Sequence, residues 1–135
     1  VTMMFLIATM LLNPLPLKVT GRTECLLVIG RLRCPTNPLK ASGVRIDLVD
    51  EDSLPWEIDD IMGRTWSDQN GSFTVSGCGA DFGPLNTPDP YLRIEHACPH
   101  QHDSQSSVTE LNVVPTFLPR IVNLGFIYLD RYPDD

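Results

Sequence analysis

The chain has 135 residues, 12 of them proline and nine glycine, with 42 % hydrophobic and 20 % charged side chains. That is one domain's worth of chain, long enough to bury a core and too apolar for a disordered segment. Ten basic against 17 acidic side chains leave a formal net charge of −7, which argues against nucleic-acid phosphates and against a polybasic membrane anchor.

Residues 1–17, VTMMFLIATMLLNPLPL, carry no charge. Pro14 and Pro16 interrupt the run, and it is shorter than the roughly 20 apolar residues of a spanning helix. Its expected role is the apolar core of a secretory signal peptide; no basic residue precedes it, so the expectation is either a truncated start or a true start at Met3 or Met4. Small residues follow at Val19-Thr20-Gly21, so residues 1–21 are assigned to the signal and 22–135 to one mature domain. No transmembrane anchor is expected after cleavage.

From Cys25 onward apolar residues alternate with period two, the signature of half-buried strands. Leu26, Val28, Gly30, Leu32 and Cys34 share the inner face of a first strand; Arg31 and Arg33 point outward. A turn-rich loop, Pro35 to Ser42, leads to a second strand with Val44, Ile46 and Leu48 inward and Arg45 and Asp47 outward. After an acidic loop, a third strand runs from Ile61 to Ser67. Asp68-Gln69-Asn70-Gly71 reads as a hairpin turn, since Asn-Gly accepts the positive φ of a tight turn. Ser72 to Ser76 is the fourth strand, and Gly77 to Pro90 reads as a long loop. Tyr91 to Cys98 is the fifth, with Leu92, Ile94, His96 and Cys98 inward. Thr109 to Val113 and Ile121 to Leu129 complete the set. Seven short strands without a helical period imply an all-β, two-sheet β-sandwich.

Four cysteines, Cys25, Cys34, Cys78 and Cys98, suit two disulfides in a secreted chain, with three connectivities open. Their spacing lacks the C-x2-C pairs of a structural zinc site. His96, His100 and His102 flank Cys98, but a disulfide would remove that thiolate, so no metal site is expected there. Between Asp47 and Asp60 lie seven carboxylates and no basic residue. Asp50, Asp52, Asp59 and Asp60 make this a candidate loop for a weak divalent cation or for a partner, although it lacks the spacing of a known calcium loop. A solvated acidic loop is the simpler expectation. Trp56 within it is expected to pack as a lid on the sandwich edge. Asn70-Gly71-Ser72 is an N-glycosylation sequon. No G-x-S-x-G, H-E-x-x-H or phosphate-binding glycine loop occurs, so no catalytic residue and no cofactor is assigned.

Four segments, in order, resemble the nematode transthyretin-like proteins: VIGRLRC (Val28 to Cys34), GVRIDLVDEDS (Gly43 to Ser53), TWSDQNGSFTVSG (Thr65 to Gly77) and DPYLRIEHAC (Asp89 to Cys98), followed by NLGFIYL (Asn123 to Leu129). The stretch HQHDSQSSVTE after Cys98 departs from the lysine-rich character of that family. The resemblance implies a transthyretin (prealbumin)-like sandwich and an extracellular location. It also places cysteine at Cys34 and Cys98, which implies that pair and leaves Cys25 with Cys78, the other connectivities staying open. Hydroxyisourate hydrolases of the wider fold carry a Tyr-Arg-Gly-Ser tail, and this sequence ends Tyr132-Pro133-Asp134-Asp135. The expected function is therefore a secreted, non-enzymatic binding domain, an adaptor or signal with a cell-surface protein or lipid partner. The rivals are a carrier of a small apolar ligand and, last, a hydrolase.

Overall fold

In the computed structural model, residues 22–51, 59–81, 89–100 and 107–131 are described. Residues 1–21, where a signal is expected, Asp52, Trp56, Glu57, His102 and the residues from Tyr132 onward lie outside them. Seven strands follow in order: β1 (Arg22–Arg33), β2 (Arg45–Asp50), β3 (Asp60–Trp66), β4 (Ser72–Asp81), β5 (Pro90–His96), β6 (Ser107–Asn112) and β7 (Val122–Tyr128). One 3-10 turn, Pro38–Ala41, lies between β1 and β2. The strands form two sheets, ordered β4-β1-β7 and β3-β2-β5-β6. The fold is the all-β sandwich that the alternation predicts.

The four-stranded sheet is antiparallel throughout. In the other sheet β1 pairs antiparallel with β4 and parallel with β7. The inner faces predicted for β1, β2 and β5 meet between the sheets, with Leu26, Val28 and Leu32 from the first, Ile46 and Leu48 from the second and Leu92 and Ile94 from the third; Phe73 and Val75 from β4 and Ile127 from β7 join them. Burial of these side chains, each favourable by roughly 1.5–3 kcal/mol, drives the two layers together.

Cys34 leaves β1 and Cys98 follows β5, so their disulfide staples one sheet to the other. Cys25 and Cys78 lie directly opposite on β1 and β4, and their disulfide joins neighbouring strands. Both pairings match those the resemblance implies. In the chain-entropy account each bridge contributes roughly 2–4 kcal/mol by restricting the unfolded chain.

Three sequence expectations change. β4 does not stop at Ser76; it runs through Gly77-Cys78-Gly79-Ala80-Asp81, opposite Arg22 to Leu26. Three residues of that extension, Gly77, Gly79 and Ala80, offer little or no side chain to alternate, so the sequence pattern vanishes while the backbone pairing continues. Secondly, Asp68–Gly71 is a tight turn but not a hairpin. It links β3 in one sheet to β4 in the other. The Asp68 carboxylate accepts the Asn70 and Ser72 amides at 2.8 and 2.9 Å, and Gly71 donates to the Asp68 carbonyl at 3.0 Å. These bonds set the turn locally; the partner of each strand is set by burial of Phe73 and Val75 between the sheets. Thirdly, Asp47 lies on the outer face as expected, yet it is only 4 % exposed.

Candidate functional site

Asp47 is buried because two arginines from its own sheet cover it. Arg64 on β3, opposite Asp47 in register, donates through Nε at 2.6 Å and Nη2 at 3.2 Å. Arg45 Nε lies 3.7 Å from the same carboxylate, and its Nη2 reaches Glu95 at 2.7 Å. Arg93 also meets Glu95, at 3.4 Å. Every arginine on this outer face therefore has a carboxylate, and the forked contact of Arg64 holds its proton more tightly than usual, through the hydrogen bond to Asp47 and the charge of Asp47.

The acidic loop enters this network only in part. Asp47 belongs to the arginine ladder. Asp50 accepts the Asp89 amide at 2.8 Å and lies opposite Asp60 at the end of the β2–β3 pairing. Asp59 accepts the Tyr91 hydroxyl at 2.8 Å. Burial of Tyr91, together with that carboxylate, pushes its phenol up to about 12. Among the described residues no group of three or more His, Cys, Asp or Glu is arranged to hold a metal ion.

His96 is buried at the end of β5, 5 % exposed. Its Nδ1 accepts the Cys98 amide at 3.1 Å, which leaves Nε2 to donate to Thr109 Oγ1 at 3.0 Å. Burial, and to a lesser degree His100, hold its pKa below the usual value of 6.5. Both ring nitrogens thus serve the junction between β5 and β6, with His100 stacked obliquely at 6.1 Å between ring centroids. Asn70 of the sequon sits exposed at its turn, and its carbonyl accepts Arg31 Nε at 2.9 Å.

That contact opens the feature the sequence did not reveal. Arg31 and Arg33 flank buried Leu32 on β1, and Phe126 and Tyr128 flank buried Ile127 on β7. The parallel pairing places Arg31 beside Phe126 and Arg33 beside Tyr128 on the outer face of the three-stranded sheet. The Arg33 guanidinium lies over the Phe126 ring, 4.3 Å from its centroid, and Arg131 lies 4.4 Å over Tyr128. Phe126 is 54 % exposed. Where Arg131 also meets Asp130 at 3.4 Å, neither Arg31 nor Arg33 has a carboxylate within ion-pair distance among the described residues. A cleft of about 330 Å³ adjoins them, walled by Arg31, Arg33, Pro35, Gln69, Asn70 and Tyr128. Alternation pointed both arginines outward. What it could not supply was the β1–β7 adjacency that sets the aromatics beside them.

Comparison with known proteins follows the same lines. The model of the transthyretin-like family (TTR-52) matches residues 29–113. Transthyretin-like protein 46 of Caenorhabditis elegans is 34 % identical over 89 residues, 66 % of this chain and 46 % of that protein. Transthyretin-like protein 1 of the same organism is 36 % identical over 83 residues, 58 % of this chain and 50 % of that protein. The chain spans about half the length of the curated relatives it matches. Among solved structures, a 9R-lipoxygenase from Cyanothece aligns with a TM-score of 0.49 and 18 % identity over 82 % of this chain and 17 % of that one. So slight a likeness bears on neither fold nor chemistry.

Proposed function

We propose, since the chain belongs to the transthyretin-like family, that it is a secreted, non-enzymatic binding domain acting as an extracellular adaptor or signal at cell surfaces. The observation that carries this reading is the outer face of the three-stranded sheet. There, exposed aromatic rings sit beside Arg31 and Arg33, which have no carboxylate partner among the described residues, on a scaffold tied by two disulfides. A rigid sheet face with aromatic and arginine side chains is the composition that binding surfaces favour. Two disulfides suit an oxidising compartment. No helix among the described residues is long and apolar enough to cross a membrane.

The described polar groups support a binding role over a catalytic one. His96 spends both ring nitrogens on the fold, Tyr91 donates its hydroxyl to Asp59, and Asp47 is tied to Arg64. General acid–base catalysis needs such a group turned toward a substrate at hydrogen-bond distance. The carrier reading fits less well: Arg31, Arg33, Gln69 and Asn70 join the apolar Leu32, Pro38 and Ala41 in walling the cleft beside β1, a mixed lining that suits a ligand with charge better than a wholly apolar one.

The test begins with protein expressed through a secretory pathway. Mature protein in the medium should start between about Thr20 and Cys25, near the small-residue site, and peptide mapping without reductant should return Cys34–Cys98 and Cys25–Cys78. Intact residues 1–17 on a protein retained inside the cell would refute the reading.

A further inference from the structure

We infer that the cleft and the adjoining face of β1 and β7 form a docking site for an acidic peptide segment of a partner protein, with Arg31 and Arg33 receiving its carboxylates and Phe126 and Tyr128 packing against it. The inference rests on the adaptor reading and names the chemistry of its partner.

The two outer faces differ in how they treat their arginines. On the four-stranded sheet Arg45, Arg64 and Arg93 are each within 4 Å of Asp47 or Glu95. On the three-stranded sheet Arg33 lies on an aromatic ring and Arg31 leans on a backbone carbonyl. In a chain of net charge −7, two arginines on one face of one strand, neither with a carboxylate partner among the described residues, stand out.

Stacking gives Arg33 a geometry, and a hydrogen bond does so for Arg31. A guanidinium that rests on a ring engages its face and keeps the N–H edges directed outward. Those edges match the two oxygens of a carboxylate. Arg31 is steadied through Nε by the Asn70 carbonyl at 2.9 Å. Arg31 and Arg33 are two residues apart on one strand, so their Cα atoms lie about 6.6 Å apart. Alternate side chains of an extended peptide repeat at the same interval, so two carboxylates spaced i and i+2 meet two guanidiniums.

Shape decides between acidic partners. The cleft is concave, about 330 Å³ between the Pro35 turn and the Gln69-Asn70 turn. An extended chain can enter it, and the amides of Gln69 and Asn70 supply both donors and acceptors for a peptide backbone. A lipid headgroup brings a phosphate but no peptide backbone to meet those amides.

The test is a fluorescence-anisotropy titration of a labelled alternating Glu-Ser peptide with the full, oxidised chain at low salt. Saturable binding that weakens as salt rises is expected. Arg31→Gln/Arg33→Gln should weaken it by about tenfold or more, and Arg31→Lys/Arg33→Lys should restore only part, because an ammonium keeps the charge and loses the fork. Phe126→Ala should also weaken it. Arg93→Gln, on the opposite sheet, should leave it unchanged; unaltered melting temperatures show that each variant folds. Absence of saturable peptide binding would overturn the inference, as would an equal loss in Arg93→Gln. Preference for phosphatidylglycerol vesicles or for heparin over the peptide would overturn it in favour of those surfaces. If the double variant loses the peptide yet wild-type protein ignores intact cells, the adaptor reading fails while the anion site stands. If cells are bound and the peptide is not, the reverse holds.

Discussion

At the scale of single residues, two side-chain environments carry most of the local logic. His96 is neutral in the native state, because its Nδ1 must accept the Cys98 amide. Burial and then His100 set its native pKa below 6.5. In the unfolded chain it titrates near 6.5, so below that pH the unfolded state takes up a proton that the native state refuses. Its stabilising contribution is complete above about pH 6.5 and is lost as pH falls toward the native pKa, at no more than about 1.4 kcal/mol per pH unit. Melting wild type and His96→Gln at pH 7 and pH 5 should show a smaller acid-induced drop in the variant; equal drops would contradict the assignment. Gly71 carries the other constraint. Its φ is +81°, and a Cβ there would strike the carbonyl oxygen of Leu32 on β1. Gly71→Ala is expected to cost more than about 1 kcal/mol in chemical denaturation, whereas a cost of a few tenths would mean that the corner yields freely.

At the scale of elements, alternation read the buried faces correctly and the partners of strands hardly at all. Leu26-x-Val28 and Leu92-x-Ile94 announce inner faces because a period of two follows from backbone geometry alone. The β1–β7 pairing is parallel and joins strands separated by most of the chain, so no local signal marks it. The Asn-Gly turn misled for a related reason: turn chemistry fixes φ and ψ, and whether the next strand pairs back or crosses to the other sheet depends on what it buries. The cationic face was half legible, in Arg31 and Arg33, and the aromatic half required β7 to lie beside them. The inter-sheet bridge tests how the elements cooperate. Cys34→Ser/Cys98→Ser should lower stability by roughly 2–4 kcal/mol in chemical denaturation while keeping the strand content seen by circular dichroism; an unchanged midpoint would show that the core alone sets the sheet packing. The β2–β3 loop is expected to remain a solvated or partner-facing segment. Asp50 and Asp59 already accept protein hydrogen bonds, so millimolar calcium should leave the melting temperature unchanged. A rise of several degrees that is lost in Asp50→Asn/Asp52→Asn would instead make this loop a cation site.

At the scale of the whole molecule, the two sheets divide the work. The four-stranded sheet neutralises its own arginines and buries Asp47 beneath them. The three-stranded sheet turns Arg31, Arg33, Phe126 and Tyr128 toward solvent. Disulfides across and within the layers hold that face in one shape, so little ordering entropy opposes binding there. The role proposed for this domain is binding at a cell surface. Its most direct test is a saturation measurement: labelled, fully oxidised protein is titrated onto intact cells of its own source, with and without excess unlabelled protein. The account predicts a saturable signal that unlabelled wild-type protein displaces and that Arg31→Gln/Arg33→Gln protein displaces poorly. A signal that rises linearly, indifferent to competitor, would contradict it.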